Sequence, residues 1–381
     1  IYLQDEWNIN KNFKLTYGVR LDELMFDNSD LARNKAIYDL DFGGQHVDTG
    51  KWPANRMQVS PRVGFNWDGL GDVYKRQQLA EEKHVAGSKI SGVVDDFKMP
   101  QVWKSSIAVD WQVPVKFPFT LTGEFMYTKN INAVTLNNIN IIDPSKWDGG
   151  EAANRFAGPD NRLKYPSTFN YVKGKNAVML DNTSKGYGYT FNLTANLQPV
   201  EMLNLMMAYT HTESKEVSGM PGNDPVSTWQ GLITIDGPNF GTVQRSRYVI
   251  PDRLIGSATW TIPFTYKGLA RNTNLSLFYT GYSATGNSFC YTNDMNGDGI
   301  NNDLMYIPAK GENLNFVNPD DAIAFEAFMN QDKYLSSHRG QYAEAYAARA
   351  PWVHQFDLRI MEEFEFRIGK TKHCLLYTSP S

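Results

Sequence analysis

The sequence is dominated by segments of about ten residues in which apolar and polar side chains alternate. One segment places on a single strand face Phe13, Leu15, Tyr17, Val19 and Leu21. Another repeats this pattern with Tyr187, Tyr189, Phe191, Leu193, Ala195 and Leu197. Strands of soluble sheets have only about five or six residues. Strands of about ten residues with one apolar face therefore predict a β-barrel that crosses a bilayer.

The connections between these segments fall into two classes. The predicted strands are residues 1–9, 13–22, 58–67, 102–113, 119–130, 186–197, 202–213, 248–263, 272–283 and 353–367. Short connections lie at 10–12, 114–118, 198–201 and 264–271, and long polar ones at 23–57, 131–185, 214–247 and 284–352. Outer-membrane barrels have short periplasmic turns and long extracellular loops. The predicted fold class is therefore all-β, a transmembrane antiparallel β-barrel with long extracellular loops.

Composition agrees with a barrel and excludes some other classes. Mean hydropathy is −0.45 and no run of 18 apolar residues occurs, so the sequence predicts no transmembrane helix. A net charge of −4 without a basic tract argues against nucleic-acid binding. The two cysteines, Cys290 and Cys374, predict neither a disulfide framework nor a metal cluster. Aromatic residues make up 13% of the chain, which also fits a Tyr-rich soluble β-protein.

The predicted strand directions are inconsistent at one place in the chain. Strands 58–67 and 102–113 should both run toward the periplasm, yet residues 69–101 contain no convincing spanning strand. Residues 72–77 resemble a translated sequencing adaptor, and residues 374–381 resemble its counterpart. We therefore expect a partial barrel over 1–373 with a doubtful junction at 69–95, and a non-native tail at 374–381. The alternative is an inward-folded loop and a frayed tail.

The best-defined local motif in the long loops is a run of oxygen-bearing side chains around glycines. Its candidate ligands for a possible structural Ca²⁺ are Asp294, Asn296, Asp298 and Asp303. The run is not an EF-hand, because Met305 stands where that loop has a bidentate acid. Asn and Asp also form tight turns without any ion, and this alternative stays open.

A short helix is predicted at residues 319–329 of the same loop. Asp320 or Asp321 would cap it, and Ile323, Phe325 and Phe328 would form its apolar stripe. We expect this helix to pack within the loop, with partner binding as the alternative.

No catalytic motif stands out, so we predict no enzymatic activity. The histidines form no metal-spaced pair, and no nucleophile elbow or phosphate-binding glycine loop occurs. Glu362 and Glu363 place one carboxylate on each strand face, so either Glu362 interrupts the apolar face or a bulge shifts the register. Polar side chains expected to line a hydrated interior are Arg20, Asp110, Glu124, Asp357 and Arg359.

Short motifs occur in a specific order at residues 2–7, 15–22, 60–65, 338–343, 349–352 and 356–360. Together they resemble TonB-dependent outer-membrane receptors, most closely the Oar-like branch of Bacteroidetes-type bacteria. The resemblance covers most of residues 1–372. It implies a barrel of about 22 strands, an N-terminal plug and a periplasmic segment that engages TonB. It also implies import driven by the inner-membrane proton gradient.

The resemblance leads us to expect a fragment of a receptor that imports a bulky nutrient across the bacterial outer membrane. A fragment would expose unpaired strand edges, so we expect that it cannot insert alone as a working transporter. Expected partners are outer-membrane lipid, the TonB complex through the missing N-terminal part, the nutrient and a surface lipoprotein. Aromatic candidates for substrate contact in the loops are Trp147, Trp229, Phe240 and Tyr306. Each could equally belong to the aromatic girdle or the loop core.

Two other functions remain open at this level. An Oar-like outer-membrane protein could serve adhesion or surface organisation without transport. A secreted soluble β-protein is the third possibility, and it predicts charged residues on the outward strand faces. A plug and a TonB-contact segment in the full gene would favour import, and their absence would favour the structural role.

Overall fold

The computed structural model describes residues 2–10, 13–24, 33–52, 56–64, 87–266, 269–284, 286–312, 314, 316, 318–368 and 371–378. Side chains are described in these ranges except at 2–24, 56–64, 264–271 and 364–378. The predicted adaptor segment at 72–77 lies outside the described residues. So does most of the predicted junction at 69–95.

The described chain is built mainly from β-strands, which confirms the predicted secondary-structure class. The strands are β1 Tyr2–Asn10, β2 Phe13–Leu24, β3 Arg56–Gly64, β4 Lys89–Val93, β5 Gln101–Gln112, β6 Phe119–Asn138, β7 Asn176–Thr183, β8 Tyr187–Val200, β9 Leu203–Glu216, β10 Gln244–Arg245, β11 Asp252–Tyr266, β12 Leu269–Ser283, β13 Gly286–Asn287, β14 Tyr306–Ile307, β15 Gln341–Tyr342, β16 Ala348–Arg349, β17 Trp352–Ile368 and β18 Thr371–Thr378.

Helices are few and short. They are α1 Lys35–Tyr38, α2 Gly150–Ala153, α3 Pro225–Gln230, α4 Pro319–Gln331 and α5 Lys333–Ser337, with 3₁₀ turns at Pro144–Lys146 and Pro238–Phe240. Among the described residues, none of these helices is long and apolar enough to cross a bilayer.

The strands form one large sheet and three small ones. The large sheet has eleven strands in the order β18-β17-β12-β11-β9-β8-β6-β7-β4, with β10 paired to β9 and β5 paired to β6. Its ladders are antiparallel except for β4 against β7. Strands β1, β2 and β3 form a separate antiparallel sheet, and β13–β16 and β14–β15 form two-stranded ribbons. No ladder between β3 and β5 is described.

Each predicted strand has a counterpart, and the differences lie at the ends. Strand β6 runs eight residues past its predicted end because β7, inside the predicted loop 131–185, pairs with residues 133–138. Residues 371–378 form β18 and pair with β17. From the sequence, residues up to 373 are predicted to belong to the barrel and the following ones to a non-native tail. The non-native origin of residues 374–381 stays a prediction, because the formation of a strand does not show where its sequence comes from.

Seven neighbouring strands of the large sheet share one apolar face. The pairing registers place on this face the side chains of Ile107, Val109, Trp111, Leu121, Phe125, Tyr127, Tyr189, Phe191, Leu193, Leu197, Leu203, Leu205, Met207, Tyr209, Leu254, Trp260, Ile262, Leu275, Leu277, Tyr279, Phe356, Leu358 and Ile360. Many of them are well exposed, including Ile107 at 66%, Leu358 at 56% and Met207 at 57%. This apolar face therefore has no covering layer within the described chain.

Charged groups mark the two ends of the apolar face. At the loop end, His211 Nδ1 lies 2.8 Å from Asp252 Oδ1, which also accepts a hydrogen bond from the Tyr209 hydroxyl at 2.7 Å. At the turn end, Glu362 accepts a hydrogen bond from Thr273 Oγ1 at 3.0 Å. The β12–β17 ladder has no bulge, so Glu362 interrupts the apolar face, as the first of the two predicted alternatives states.

The opposite face of the same strands is polar. Cross-strand hydrogen bonds join Thr122 to Asp110 at 2.6 Å, Thr210 to Asn192 at 3.1 Å, Thr259 to Ser276 at 3.0 Å and Thr261 to Asn274 at 2.6 Å. This polar face also carries Glu124, Asp357 and Arg359, three of the residues predicted to line a hydrated interior. The interior itself stays a prediction. Side-chain contacts of Arg20 lie outside the described part of the chain.

The buried core lies in the long connections and their short strands, beyond the loop end of the sheet. Four clusters of buried side chains are centred on Phe42 and Ile90, on Trp229 and Val178, on Ile307 and Leu335, and on Leu163 with Trp147. We call the packed region formed by residues 33–52, 87–100, 131–185, 217–247, 284, 286–312, 314, 316 and 318–351 the loop cap. The predicted long loops are therefore a folded layer with its own hydrophobic core.

Helix α4 confirms the predicted helix but corrects its details. Asn318 is the N-cap, accepting a hydrogen bond from the Asp320 backbone at 3.2 Å, so the predicted Asp320 and Asp321 caps are wrong. Both aspartates lie in the first turn, where carboxylates complement the helix dipole. The predicted stripe is right only at Phe325, because Ile323 is 72% exposed and Phe328 is 50% exposed, while Met329 is fully buried. Phe325 lies one turn before Met329 and packs on the same core cluster.

Candidate functional site

Three of the four aromatic candidates for substrate contact are buried in the loop cap. Trp229 is 1% exposed, and its indole nitrogen donates to Asn239 Oδ1 at 2.8 Å. Trp147 donates to the carbonyl oxygen of Ile142 at 2.9 Å, and Tyr306 is also buried. Phe240 is 37% exposed, so it alone among the four presents substantial aromatic surface to solvent.

The predicted calcium loop is folded as a series of side-chain-stabilised turns. Asp294 accepts hydrogen bonds from the backbone nitrogens of Gly297 at 2.7 Å and Gly299 at 2.9 Å. Asn296 Oδ1 accepts from the Asp298 nitrogen at 2.9 Å. Asp303 Oδ2 accepts from the Met295 nitrogen at 2.7 Å and ties the end of the loop to its beginning. The four predicted ligands are therefore brought together, each with a role in the turns.

Residues 294–303, here called the acidic loop, carry negative charge that is incompletely compensated. Burial, followed by the charges of Asp303 and Asp294, raises the pKa of Asp298 from its ordinary 3.8 to about 7. Burial likewise raises the pKa of Asp303. Within the described residues, however, no three Asp, Glu, His or Cys side chains are grouped so that they could hold a metal ion. Binding of Ca²⁺ at Asp294, Asn296, Asp298 and Asp303 stays an untested alternative to ion-free turns.

A buried arginine that the sequence did not single out joins two loops of the cap. Arg162 is fully buried, and its Nη2 donates to the carbonyl oxygen of Leu304 at 2.8 Å. Its Nε donates to Asp160 at 2.9 Å, and Asp303 Oδ1 lies 3.9 Å from its Nη1. The guanidinium also stacks near the rings of Tyr291 and Tyr342. No local sequence pattern predicts this role, because all of these partners except Asp160 lie more than 100 residues away.

Clefts occur on the polar face and in the loop cap. Two open on the polar face, with volumes of about 270 and 300 Å³. A cleft in the loop cap, here called the outer cleft, has a volume of about 580 Å³. Its lining residues are Pro221, Gly231, Ile233, Arg247, Tyr248, Gly286, Asn287, Ser288, Cys290, Asn302 and Tyr346. The sequence predicted none of these as site residues, since they come from separate loops and form no motif.

No family model, curated protein or solved structure matches this chain.

Proposed function

We propose that this chain is part of a TonB-dependent outer-membrane receptor of the Oar-like type, which imports a bulky nutrient. The observation that carries the proposal is the seven-stranded surface with one apolar and one polar face. An exposed apolar surface of this extent is costly in water but stable against lipid. Its strands, of 12 to 20 residues, are long enough to cross a bilayer at the usual barrel tilt.

The dimensions of the apolar face support a membrane position. On β17, His354 and Glu362 occupy the same face and are eight residues apart. This spacing corresponds to about 27 Å along a strand and about 21 Å along the membrane normal at a tilt of roughly 40°. The lipid-facing band of outer-membrane barrels is about 25 Å tall. Between its ends, the described apolar face contains no Asp, Glu, Lys or Arg.

The polar face and the loop cap fit the other surfaces of a receptor. The polar face carries clefts and cross-strand hydrogen bonds, which suit a hydrated or plugged interior. The loop cap lies at the end of the strands where the connections are long, and in outer-membrane barrels that end faces the exterior. The missing strands would close a barrel of about 22 strands. A plug and a TonB-contact segment would complete the transporter.

The proposal is tested in the source bacterium with the complete gene. We expect the protein in the outer-membrane fraction, resistant to alkaline extraction, and growth on its nutrient to require both the gene and TonB. Recovery as a periplasmic or secreted protein that is soluble without detergent would overturn the proposal. It would instead favour a soluble β-protein, against which the uncharged apolar face argues.

The same experiment separates import from the adhesion alternative. A protein that resides in the outer membrane but shows no TonB-dependent phenotype would support a role in adhesion or surface organisation. In that case the complete gene should also lack a plug and a TonB-contact segment.

A further inference from the structure

The outer cleft has the size and lining of a ligand site. Its volume of about 580 Å³ lies within the range of small-molecule pockets, roughly 300–1,000 Å³. Aliphatic and aromatic surface comes from Pro221, Ile233 and Tyr346, and polar groups come from Asn287 and Asn302. This mixture of apolar walls with a few polar groups is typical of sites that orient a ligand.

Arg247 gives the outer cleft a positive charge. It is exposed, and no carboxylate belongs to the lining. Within the part of the chain that the structure describes, no hydrogen bond or ion pair involves the Arg247 guanidinium. The neighbouring Arg245 differs, because its Nε lies 3.4 Å from Glu344. Arg247 can therefore bind an anionic group without first breaking an ion pair.

Unusual backbone conformations also occur at this cleft. Among the described residues, Met220 and Tyr346 are the non-glycine residues with positive φ, at 48° and 55°. Tyr346 lines the outer cleft, and Met220 directly precedes the lining residue Pro221. Left-handed conformations are unfavourable for bulky side chains and persist where surrounding contacts enforce them, often at ligand sites.

The contacts that hold Tyr346 come from other residues that line the cleft. The Tyr346 nitrogen donates to Ser288 Oγ at 2.8 Å. A Cβ atom at Gly286 would lie only 1.7 Å from the Tyr346 carbonyl oxygen, so only glycine permits this approach. Burial raises the pKa of Tyr346, and the charge of Arg247 opposes that rise, which places Arg247 within electrostatic reach. The cleft is thus preorganised around Tyr346.

A smaller cavity of about 20 Å³ adjoins the outer cleft and shares with it the lining residues Pro221, Ile233, Arg247 and Tyr346. Glu216 also lines this smaller cavity. A volume of about 20 Å³ admits little more than one water molecule, so only the outer cleft has room for a small-molecule ligand.

We infer that the outer cleft is a recognition site for a small ligand that carries a carboxylate group. Arg247 binds the carboxylate, for which a guanidinium offers two parallel N–H donors. The ring of Tyr248, which is 65% exposed at the same rim, provides a flat surface for the body of the ligand. Recognition of the ligand does not depend on the proposed function, and only its later transport rests on that function.

Direct binding to the 381-residue chain in detergent tests the site. Two pairs of probes distinguish peptide from sugar-acid sources: acetyl-trialanine against its C-terminal amide, and trigalacturonate against its methyl ester. We expect the carboxylate member of one pair to bind at least about ten-fold more tightly than its neutral analogue. Equal binding of both members in each pair, or no binding of any probe, would overturn the inference.

Variants assign the effect to Arg247. Arg247→Met should weaken carboxylate binding about ten-fold or more and leave binding of the neutral analogue unchanged. Lys173→Met, at an exposed cation of the cap outside the cleft, is the matched control and should change neither. An unchanged thermal midpoint for Arg247→Met excludes loss of folding. Equal carboxylate affinity in Arg247→Met and the parent chain would refute the assignment.

Uptake separates the site from the transport proposal. Carboxylate binding that depends on Arg247, without TonB-dependent uptake by cells, would keep the recognition site and overturn import. TonB-dependent uptake by cells, combined with unchanged carboxylate affinity in Arg247→Met, would keep import and overturn the site.

Discussion

The guanidinium of Arg162 donates a hydrogen bond to the carbonyl oxygen of Leu304, 142 residues further along the chain. This contact joins the loop after β6 to the loop after β12, and the same guanidinium faces the buried carboxylate of Asp303. The loop cap is therefore held together by long-range polar contacts as well as by its apolar clusters. A fixed cap is a prerequisite for a preorganised cleft.

Replacement of Arg162 by Met should destabilise the loop cap by about 3 kcal/mol, because it leaves the Asp303 carboxylate buried without its cation. Hydrogen exchange of residues 284–312 in the detergent-solubilised chain measures the change. Arg155→Met is the control, since Arg155 is partly exposed in its ion pair with Glu151 and should cost less than about 1 kcal/mol. Equal protection in the two variants would contradict the role given to Arg162.

The sequence predicts the strands far better than it predicts the cap. Alternation of apolar and polar residues is a local signal, so the strand containing Leu193 could be placed from its neighbours alone. The roles of Arg162 and Tyr346 depend on partners 142 and 58 residues away in the chain, and no local pattern encodes them. The predicted helix at 319–329 illustrates this difference. Its position follows from local sequence and is right, whereas the side that it buries depends on the cap core around Met329.

The stability of the acidic loop should fall as the pH rises from 4 to 8. The pKa of Asp298 is about 7 in the folded chain and near 3.8 when exposed, so the folded state binds the extra proton. Protonation therefore stabilises the fold fully below pH 3.8, and this contribution is lost as the pH rises through 7. We expect hydrogen-exchange protection of residues 294–303 to decrease over this range in the parent chain and to change much less in Asp298→Asn.

Addition of Ca²⁺ tests whether the side chains of the acidic loop only stabilise turns or also bind an ion. We expect 1 mM Ca²⁺, roughly the weaker end of extracellular calcium affinities, to leave the thermal midpoint at pH 8 unchanged. The reason is that Asp294, Asn296 and Asp303 already accept backbone hydrogen bonds. A rise in the midpoint that disappears in Asp294→Asn would contradict this expectation and establish the calcium site.

Replacing a buried and an exposed aromatic candidate should have different effects on the stability of the loop cap. Trp229→Ala should destabilise the loop cap by about 3–5 kcal/mol, because the side chain is almost fully buried and its indole is hydrogen-bonded to Asn239. Phe240→Ala removes a partly exposed ring and should change stability by no more than about 1 kcal/mol. Thermal unfolding monitored by near-ultraviolet circular dichroism checks both. A strongly destabilised Phe240→Ala would show that this ring also belongs to the core.

Adjacent residues of β8 test which sheet face contacts lipid. Leu193 lies near the middle of the apolar face, and Thr194 lies on the polar face. If the proposed function is right, Leu193→Arg in the complete protein should destabilise the membrane-inserted state by about 2–4 kcal/mol, because it would place a charge against lipid acyl chains. Thr194→Arg should be tolerated, because its side chain lies on the polar face, which the proposed function assigns to a hydrated interior. Heat-modifiable mobility in outer-membrane fractions measures assembly, and a greater loss for Thr194→Arg than for Leu193→Arg would reverse the assignment of the two faces.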